Sequence, residues 1–578
     1  MKLRTKLFIC ALCIAVYSSQ CAFISTEPTV EPPPKEALLS ALFEADIKSI
    51  QEAYQAGLLT CYEVTEYYLQ RISAYNESYN CFITLCEDAL EQAQEIDLKM
   101  AKGEIDGLLL GIPVVIKDNI DYAGYHTTNG HEKWESPIAD SNAEVVEYLL
   151  QEGAVIIGKT NMSTDAQDAH ISDSDAVGET KNAYGLNLAS GGSSGGSAVA
   201  TSLNFAVAGL GTDTNSSLRL PAALNGCISL RATWDTLSSE GITHLNKWRD
   251  VPGVITRTVT DQAILLDVLS GGESSYAANL NSTVLKGLRL GIVEELTYVR
   301  SSSVDQEVVQ MFDTAVQELE SCGAEIVRIS VPGVNYWIDD YDDSEAYRQN
   351  ALGKLESIME AENVSAVIFP THLSAPQYSG RDENGVYHDP QDQPFLNNCR
   401  RLSPNLGIPE IAIPIGNHSR GASIGMEIAA GKNQEQLLLD IAYSYSLAYD
   451  HRQVPSGAPN LYSNSNDRSL HDLVNDYLLL LEQANIPEHS TDLQPEVSPT
   501  ELPSSHTEHS ESITDLTYPA SAKEGTEPNK EPSLSSGELK MIVGLWFILT
   551  LTVLVILLRL AKKQGSTTHG NCKDRHPR

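Results

Sequence analysis

Basic residues are scarce in this chain of 578 residues, which has 39 lysines and arginines against 77 aspartates and glutamates. Its formal net charge is −38. The sequence contains no basic patch and no nucleic-acid-binding motif, and a strongly negative protein repels a phosphate backbone. We therefore predict no nucleic-acid partner.

No CxxC or HExxH pattern supports a metal site in the body of the chain, so we predict no metal and no cofactor. The 10 cysteines do not have the dense spacing of a disulfide scaffold. Four of them lie near the chain ends, at Cys10, Cys13, Cys21 and Cys572. The other six are scattered over the body, at Cys61, Cys81, Cys86, Cys227, Cys322 and Cys399. Outside a cell some of these six could pair, and the sequence leaves the pairing open.

The first 22 residues are typical of a secretory signal peptide. Lys2, Arg4 and Lys6 precede an apolar run over residues 7–16, and small or polar residues follow it. This order of a basic, an apolar and a small-residue region predicts a signal peptide over residues 1–22, with the cleavage point left open. The alternative is an uncleaved N-terminal anchor, although the apolar run is short for one.

A second apolar segment lies near the other end of the chain. Residues 541–558 carry no charge, and they are followed by Arg559, Lys562 and Lys563. A helix of this length spans about 27 Å, which is enough to cross a bilayer core. The basic residues place the tail, residues 559–578, in the cytoplasm and the body of the protein outside the cell. The alternative, a buried core helix, fits poorly because no folded region follows.

The composition divides the rest of the chain into three parts. Residues 23–35 are rich in proline and glutamate and are predicted to be a linker. Residues 36–486 are predicted to form the globular domain. Residues 487–539 are rich in Ser, Thr, Pro and Glu and contain few large apolar residues, so they are predicted to be a disordered stalk.

Helix and strand signals alternate in the first part of the globular region. Thr60 and Glu63 form a possible capping box that opens a helix through Tyr75. Further helices are predicted over residues 87–102 and 141–151, with strands over 111–117 and 154–157. This alternation predicts an α/β domain with a central sheet covered by helices.

The most informative segment is a loop of serines and glycines, SGGSSGGS, over residues 190–197. A helix is predicted to start near Gly196, and a strand over residues 205–211 returns toward the same end. This arrangement puts Ser193 and Ser217 close together, at the kind of strand end where open α/β sheets bind ligands. Lys117 ends its own predicted strand and could reach the same crevice.

Three segments in order resemble the amidase signature family. They are the strand GIPVVIKDN at residues 111–119, the Gly/Ser loop, and GTDTNSSLRLPA at residues 211–222. The resemblance extends over most of the globular region and implies that family's fold, a central mixed β-sheet with helices on both faces. It also implies hydrolysis of carboxylic amides through an acyl-enzyme.

The resemblance implies a catalytic triad in which Ser217 is the nucleophile, Ser193 the bridging serine and Lys117 the base. A buried lysine can lose its proton near neutral pH and then act as a base. The family's bridging serine follows a cis peptide bond, which here would be Gly192–Ser193. Ser194, Asp213 and Arg219 also match the motif and are expected to support the loops by hydrogen bonds.

The chain departs from the family at the residues that precede the nucleophile. The family has two glycines there, and this chain has Asn215 and Ser216. In the family, backbone N–H groups of this stretch form the oxyanion hole, which here would run from Thr214 to Ser217. Side chains could be tolerated, or they could turn one donor away at a cost of about 10²–10³ in rate.

These observations predict a membrane-anchored extracellular amidase whose substrate is a small-molecule or lipid amide. The alternative is a catalytically silent amidase fold that serves as a surface binding protein. A third candidate, the glutaminase component of a tRNA amidotransferase, does not fit the predicted signal peptide and anchor. The identity of the substrate depends on pocket residues from regions such as 337–394, which contain no diagnostic motif. Asn-x-Ser/Thr sequons begin at Asn76, Asn161, Asn215, Asn281, Asn363 and Asn417.

Overall fold

A computed structural model of the chain describes residues 30–104, 106–132, 136–301, 303–334, 345–380, 398, 400, 402–462 and 468–484. All of them lie in the first of two units, Met1–Val497, and the second unit, Ser498–Arg578, is outside the described part. The predicted signal peptide, stalk and transmembrane segment also fall outside it. In the described ranges, no helix is both long enough and apolar enough to cross a membrane.

One large mixed sheet organises the described residues. Its eleven strands lie in the order β1-β3-β2-β8-β10-β9-β14-β15-β13-β11-β12, and two short hairpins, β4-β5 and β6-β7, stand apart. Strand β2 is parallel to both of its neighbours, β3 and β8, whereas β8 and β10 are antiparallel. The strands are β1 Phe82–Leu85, β2 Pro113–Lys117, β3 Val155–Thr160, β4 Asp173–Ser174, β5 Gly178–Glu179, β6 Lys181–Asn182, β7 Gly185–Ala189, β8 Ala208–Asp213, β9 Ile228–Arg231, β10 Val251–Thr256, β11 Arg289–Val293, β12 Glu325–Ile329, β13 Ala366–Pro370, β14 Glu410–Asn417 and β15 Ser423–Ala429.

The α-helices of the described ranges are numbered α1 to α14 in chain order. They are α1 Lys35–Ala41, α2 Ile47–Gln55, α3 Cys61–Tyr79, α4 Ala89–Lys102, α5 Glu144–Gln151, α6 Gly195–Ser202, α7 Arg219–Leu224, α8 Val259–Leu269, α9 Glu294–Thr297, α10 Gln306–Ser321, α11 Glu345–Glu362, α12 Ser403–Leu406, α13 Glu435–Ser446 and α14 Leu470–Gln483. The α/β class and the mixed sheet that the sequence predicts are therefore confirmed.

Local sequence signals set several of the helix ends. The Thr60 side chain accepts a hydrogen bond from the Glu63 N–H while the Glu63 carboxylate accepts from the Thr60 N–H, so the predicted capping box opens α3. Gly103 ends α4 with φ of 64°, a left-handed conformation that glycine adopts without steric cost. Other boundaries differ by a few residues, since α5 begins at Glu144 and β8 at Ala208.

The central strands are covered on both faces. Every residue of β2, β3, β8 and β10 is buried. Because successive side chains of a strand point to opposite faces, burial of all of them requires packing on both sides of the sheet. Helix α6 contacts β2, β3, β8 and β10 and is itself buried along its whole length. The strand ends that carry the candidate site therefore lie in a rigid, solvent-excluded part of the fold.

The described cysteines are free thiols. Cys61, Cys81, Cys86 and Cys227 are buried, and Cys322 is half-buried. Burial raises the pKa of the Cys227 thiol to about 11, so this group stays protonated at neutral pH. No disulfide forms among these five, and Cys399 lies outside the described residues.

Candidate active site

Lys117 and Ser193 meet at the carboxyl end of β2. Lys117 is the last residue of the strand, and its side chain is fully buried. Its Nζ lies 2.7 Å from Ser193 Oγ and 2.9 Å from Thr212 Oγ1. Asn119 Nδ2 donates to the same threonine oxygen at 3.2 Å. The lysine amine is therefore held against the bridging serine that the sequence predicts.

The environment of Lys117 favours its neutral form. Burial lowers the pKa of the Lys117 amine from 10.5 to about 7, although the carboxylates of Asp250 and Asp213 pull in the opposite direction. Desolvation wins because an ammonium ion loses its hydration in a buried site. A large fraction of Lys117 can therefore accept a proton at neutral pH.

The Gly/Ser loop is fixed by close backbone contacts. The Gly192–Ser193 peptide bond is cis, as the resemblance implies. A Cβ atom on Gly192 would lie 2.3 Å from the Ile171 carbonyl oxygen, so only glycine fits there. Ser172 Oγ contacts the carbonyl oxygen of Ser193 at 3.1 Å. These contacts hold the Ser193 side chain in place beside the lysine.

The loop that carries Ser217 adjoins the Gly/Ser loop. The Ser194 N–H donates to the carbonyl oxygen of Ser217 at 3.1 Å. Thr214, Asn215 and Ser217 line a cavity of about 530 Å³, whereas Ser216 is buried and is not among the lining residues. The structure thus brings the two loops into contact and opens the predicted nucleophile to a cavity. The catalytic roles of these residues remain predictions.

Two backbone donors face no protein acceptor in this loop. Within the described ranges, the N–H groups of Asn215 and Ser217 make no hydrogen bond. Backbone N–H groups are almost always paired when they are buried, so unpaired ones beside a cavity are suited to a ligand oxygen. The side chains of Asn215 and Ser216 have therefore not led to pairing of these donors within the protein.

A buried ionic network contacts the loop that carries Ser217. Arg219 Nε lies 3.1 Å from Asp213 Oδ2, and Arg219 Nη2 donates to the Asn215 carbonyl oxygen at 2.9 Å. Arg231 adds a second guanidinium at 3.2 Å from Asp213 Oδ1. Burial alone would raise the pKa of Asp213, but the two arginines outweigh it and lower that pKa below its usual range. Ser194 Oγ contacts the Thr212 carbonyl oxygen at 3.2 Å.

No sequence pattern indicates that two further carboxylates belong to this network. Arg219 Nη1 contacts Glu410 on β14 and lies 3.4 Å from Glu427 on β15. Burial, together with the neighbouring Glu427, raises the pKa of Glu410 well above its usual range in spite of Arg219. A proton held on Glu410 relieves its repulsion with the neighbouring carboxylate. Because the two glutamates lie about 200 residues from Arg219 in sequence, no local pattern could have indicated the contact.

The cavity is lined mainly by a segment that the sequence interpretation missed. Its lining residues are Ser163, Thr164, Ala166, Gln167, Asp168, Ala169, His170, Asp173, Ser174, Asp175, Thr214, Asn215, Ser217, Leu245 and Arg400. The sequence named residues 337–394 as one region that could supply pocket residues. Only 345–380 of these are described, and they do not line this cavity, so the expectation stays a prediction. Residues 163–175 have no motif and reach the site only through the tertiary fold.

One cluster outside the cavity resembles a metal site in composition. Asp305, Glu307 and His418 have ligand atoms within 4.8 Å of one another. However, the Arg420 N–H donates to His418 Nδ1 at 3.0 Å, so the neutral ring carries its proton on Nε2. That nitrogen lies 3.2 Å from Glu307 Oε2. Nε2 makes no hydrogen bond within the described residues, and with its proton in place it offers no lone pair to a cation.

Comparisons with known proteins agree with this geometry. A model of the family described as Amidase matches residues 63–344. Over 470 residues the chain is 30% identical to a subunit of the glutamyl-tRNA(Gln) amidotransferase of Thermosynechococcus vestitus, and the match covers 68% of this chain and 96% of that protein. Over 311 residues it is 35% identical to the subunit of the same name from Thermoanaerobacter pseudethanolicus. This match covers 52% of this chain and 63% of that protein.

A solved structure shares the fold over nearly its whole length. It is a peptide amidase in complex with the competitive inhibitor chymostatin, with a TM-score of 0.63 and 25% sequence identity. The match covers 71% of this chain and 99% of that one.

Proposed function

Because this chain belongs to the amidase signature family and is a hydrolase of carbon–nitrogen amide bonds, we propose that it is an extracellular, membrane-anchored amidase with a Ser217–Ser193–Lys117 triad. The observation that carries the proposal is the buried lysine amine, 2.7 Å from Ser193 Oγ, with its pKa lowered to about 7. A lysine in this state can act as a general base at physiological pH.

The triad transfers protons in two directions. Ser217 Oγ attacks the amide carbon as its proton passes to Ser193 Oγ, and the Ser193 proton passes to neutral Lys117. The ammonium then returns a proton through Ser193 to the leaving nitrogen, and the carbon–nitrogen bond breaks. Water attacks the resulting acyl-enzyme by the same route, which releases the acid and restores Ser217.

The negative oxygen of the tetrahedral intermediate needs donors near Ser217. The unpaired N–H groups of Asn215 and Ser217 are suited to this role. Arg219 holds the Asn215 carbonyl, and so fixes the peptide group that lies between these two donors. Because this arrangement is already built, little reorganisation is needed when the charge develops.

The cavity favours a polar substrate over a long aliphatic one. Among its lining residues, Asp168, His170, Asp173, Asp175 and Arg400 are charged or titratable. Burial of polar groups against an alkyl chain without replacement hydrogen bonds is unfavourable. We therefore propose a polar small-molecule amide rather than a fatty acid amide.

The proposed location rests on the chain ends. We propose a signal peptide over residues 1–22 and a transmembrane helix over 541–558 that is followed by a basic tail. In this topology the amidase domain lies outside the cell, on a stalk over 487–539. Protease added to intact cells should release the domain by cutting the stalk. Digestion of the tail after Lys563, with the domain protected, would mean the opposite orientation.

The activity test uses the full-length protein in detergent micelles and a panel of p-nitroanilides and primary amides that vary in polarity. Wild-type protein should hydrolyse polar members, and Ser217→Ala and Ser193→Ala should abolish turnover while thermal unfolding stays cooperative. Equal turnover by Ser217→Ala and wild type would reject the proposed nucleophile.

The second candidate function is a silent amidase fold that binds ligands at the cell surface. The observation that favours it is the replacement of two family glycines by Asn215 and Ser216. A wild type that binds amides but hydrolyses none of the panel between pH 6 and 10 would support this alternative. The relatives named as tRNA amidotransferase components suggest a third role, which the predicted signal peptide and anchor oppose.

A further inference from the structure

Asn215 lines the cavity at a position where the family motif has glycine. The residue is half-buried and lines the cavity together with Thr214 and Ser217. A glycine there would leave only backbone in the wall. This chain therefore has a polar side chain close to the proposed nucleophile that its family pattern does not supply.

The orientation of this carboxamide is set by its neighbours. Arg249 Nη1 donates to Asn215 Oδ1 at 3.4 Å, and Arg219 Nη2 donates to the Asn215 carbonyl oxygen at 2.9 Å. A guanidinium can only donate, so it must face the oxygen of the amide and not the nitrogen. The Nδ2 group is then turned away from Arg249. It makes no hydrogen bond to any residue that the structure describes.

A fixed N–H donor in a polar cavity distinguishes ligands by their acceptors. A substrate with a carbonyl or carboxylate oxygen near the scissile amide can accept from Nδ2, whereas an alkyl chain of the same length leaves the donor unpaired. A site built to hydrogen-bond a ligand discriminates against the analogue that lacks the partner.

We propose that Asn215 determines substrate preference by donating a hydrogen bond from Nδ2 to an oxygen acceptor in the acyl part of the amide. This inference rests on the proposed function, since it assigns the acyl group to this cavity. The hydrogen bond from Asn215 would favour amides with a second carbonyl or a carboxylate near the scissile bond over simple alkyl amides.

The test measures binding in the Ser217→Ala background, where neither ligand is consumed. The ligands are N-acetylglycinamide and pentanamide, which have the same chain length and differ in the internal amide. Ligand-observed NMR titration of the full-length protein in micelles gives both dissociation constants. The Ser217→Ala protein should bind N-acetylglycinamide about 3- to 10-fold more tightly, as expected for one neutral hydrogen bond.

Asn215→Asp keeps the size of the side chain and an acceptor for Arg249 but removes the Nδ2 donor, so it should abolish the preference. Asn215→Gly should abolish it too. Gln167→Glu is the matched control, because it makes the same amide-to-acid change at another lining residue and should keep the preference.

The outcomes separate the two claims. The inference would be overturned if the preference survived Asn215→Asp or were equally lost in Gln167→Glu. It would also be overturned if neither ligand bound. A wild type that hydrolyses no amide, beside a Ser217→Ala protein with the expected preference, would reject the proposed catalysis and leave the role of Asn215 intact.

Discussion

Raising the pH from 5 to 9 should increase kcat/KM for amide hydrolysis along a single titration curve centred near pH 7. The physical reason is that Lys117 must be neutral to accept the proton from Ser193, and burial lowers its pKa to about 7. A group with a lowered pKa is protonated below that value. The rate is therefore lost as the pH falls through 7 and reaches a plateau above it.

The size of the effect follows from the fraction of neutral lysine. With a pKa near 7, about 9% of Lys117 is neutral at pH 6 and about 91% at pH 8, so kcat/KM should rise about tenfold between them. An unperturbed lysine would instead give a rise of about tenfold for every unit up to pH 10. Initial rates on one neutral p-nitroanilide across this range separate the two cases, since the substrate itself does not titrate.

Lys117→Met is the matched variant for this prediction. It removes the base and keeps a long apolar side chain in the buried site, so the rate should fall by several powers of ten and the residual rate should lose the pH dependence. Adding Ser217→Ala should cost little more, because residues that act as a unit are not additive. A flat profile in the wild type, or an active Lys117→Met protein, would refute the reasoning.

The lowered pKa of Lys117 also predicts how the stability of the protein depends on pH. An unfolded chain binds the lysine proton up to about pH 10.5, whereas the folded protein releases it near pH 7. Stability from this group therefore increases with pH between these values, by about 2 kcal/mol from pH 7 to 9. Urea unfolding should detect this increment in the wild type and not in Lys117→Met, which also checks that the variant is folded.

Three further outcomes are expected. Arg219→Met removes the buried guanidinium that contacts Asp213, Glu410 and Glu427 and should lower the free energy of unfolding by about 3–5 kcal/mol in urea denaturation. Thr212→Val removes an acceptor for Lys117 and should lower kcat about 5- to 100-fold with little change in KM, whereas an unchanged kcat would exclude a positioning role. In a host that glycosylates secreted proteins, exposed Asn281, whose Oδ1 accepts from the Thr283 N–H at 2.9 Å, should carry a glycan that Asn281→Gln removes. Buried Asn161 should stay bare, and the absence of any glycan would contradict the proposed topology.

The parts of the structure that sequence reasoning predicted correctly depend on near neighbours in the chain. Thr60 and Glu63 are one helical turn apart, and Gly103 ends a helix by its own conformation. In both cases a short stretch of chain contains the cause of the structure. The pairing of Ser193 with Lys117 was instead implied by the family resemblance of their two motifs.

The missed parts depend on contacts between distant segments. The cavity wall over residues 163–175 has no periodicity and no motif, and it reaches the site because β3 ends beside β2. Glu410 and Glu427 lie on β14 and β15, which pair with each other but lie about 200 residues from Arg219 in sequence. No single window of sequence contains these two relations. The start of β8 differs for a local reason, because residues 205–207 form a bend before it.

The most direct test of the account is to identify the residue that acts as the nucleophile. Full-length protein in micelles is treated with a serine-reactive fluorophosphonate probe, digested, and analysed by mass spectrometry. The account predicts one adduct, on Ser217, that forms faster as the pH rises through 7 and is absent in Ser217→Ala and strongly slowed in Lys117→Met. An adduct on another residue, or labelling of the Ser217→Ala protein at the wild-type rate, would contradict it.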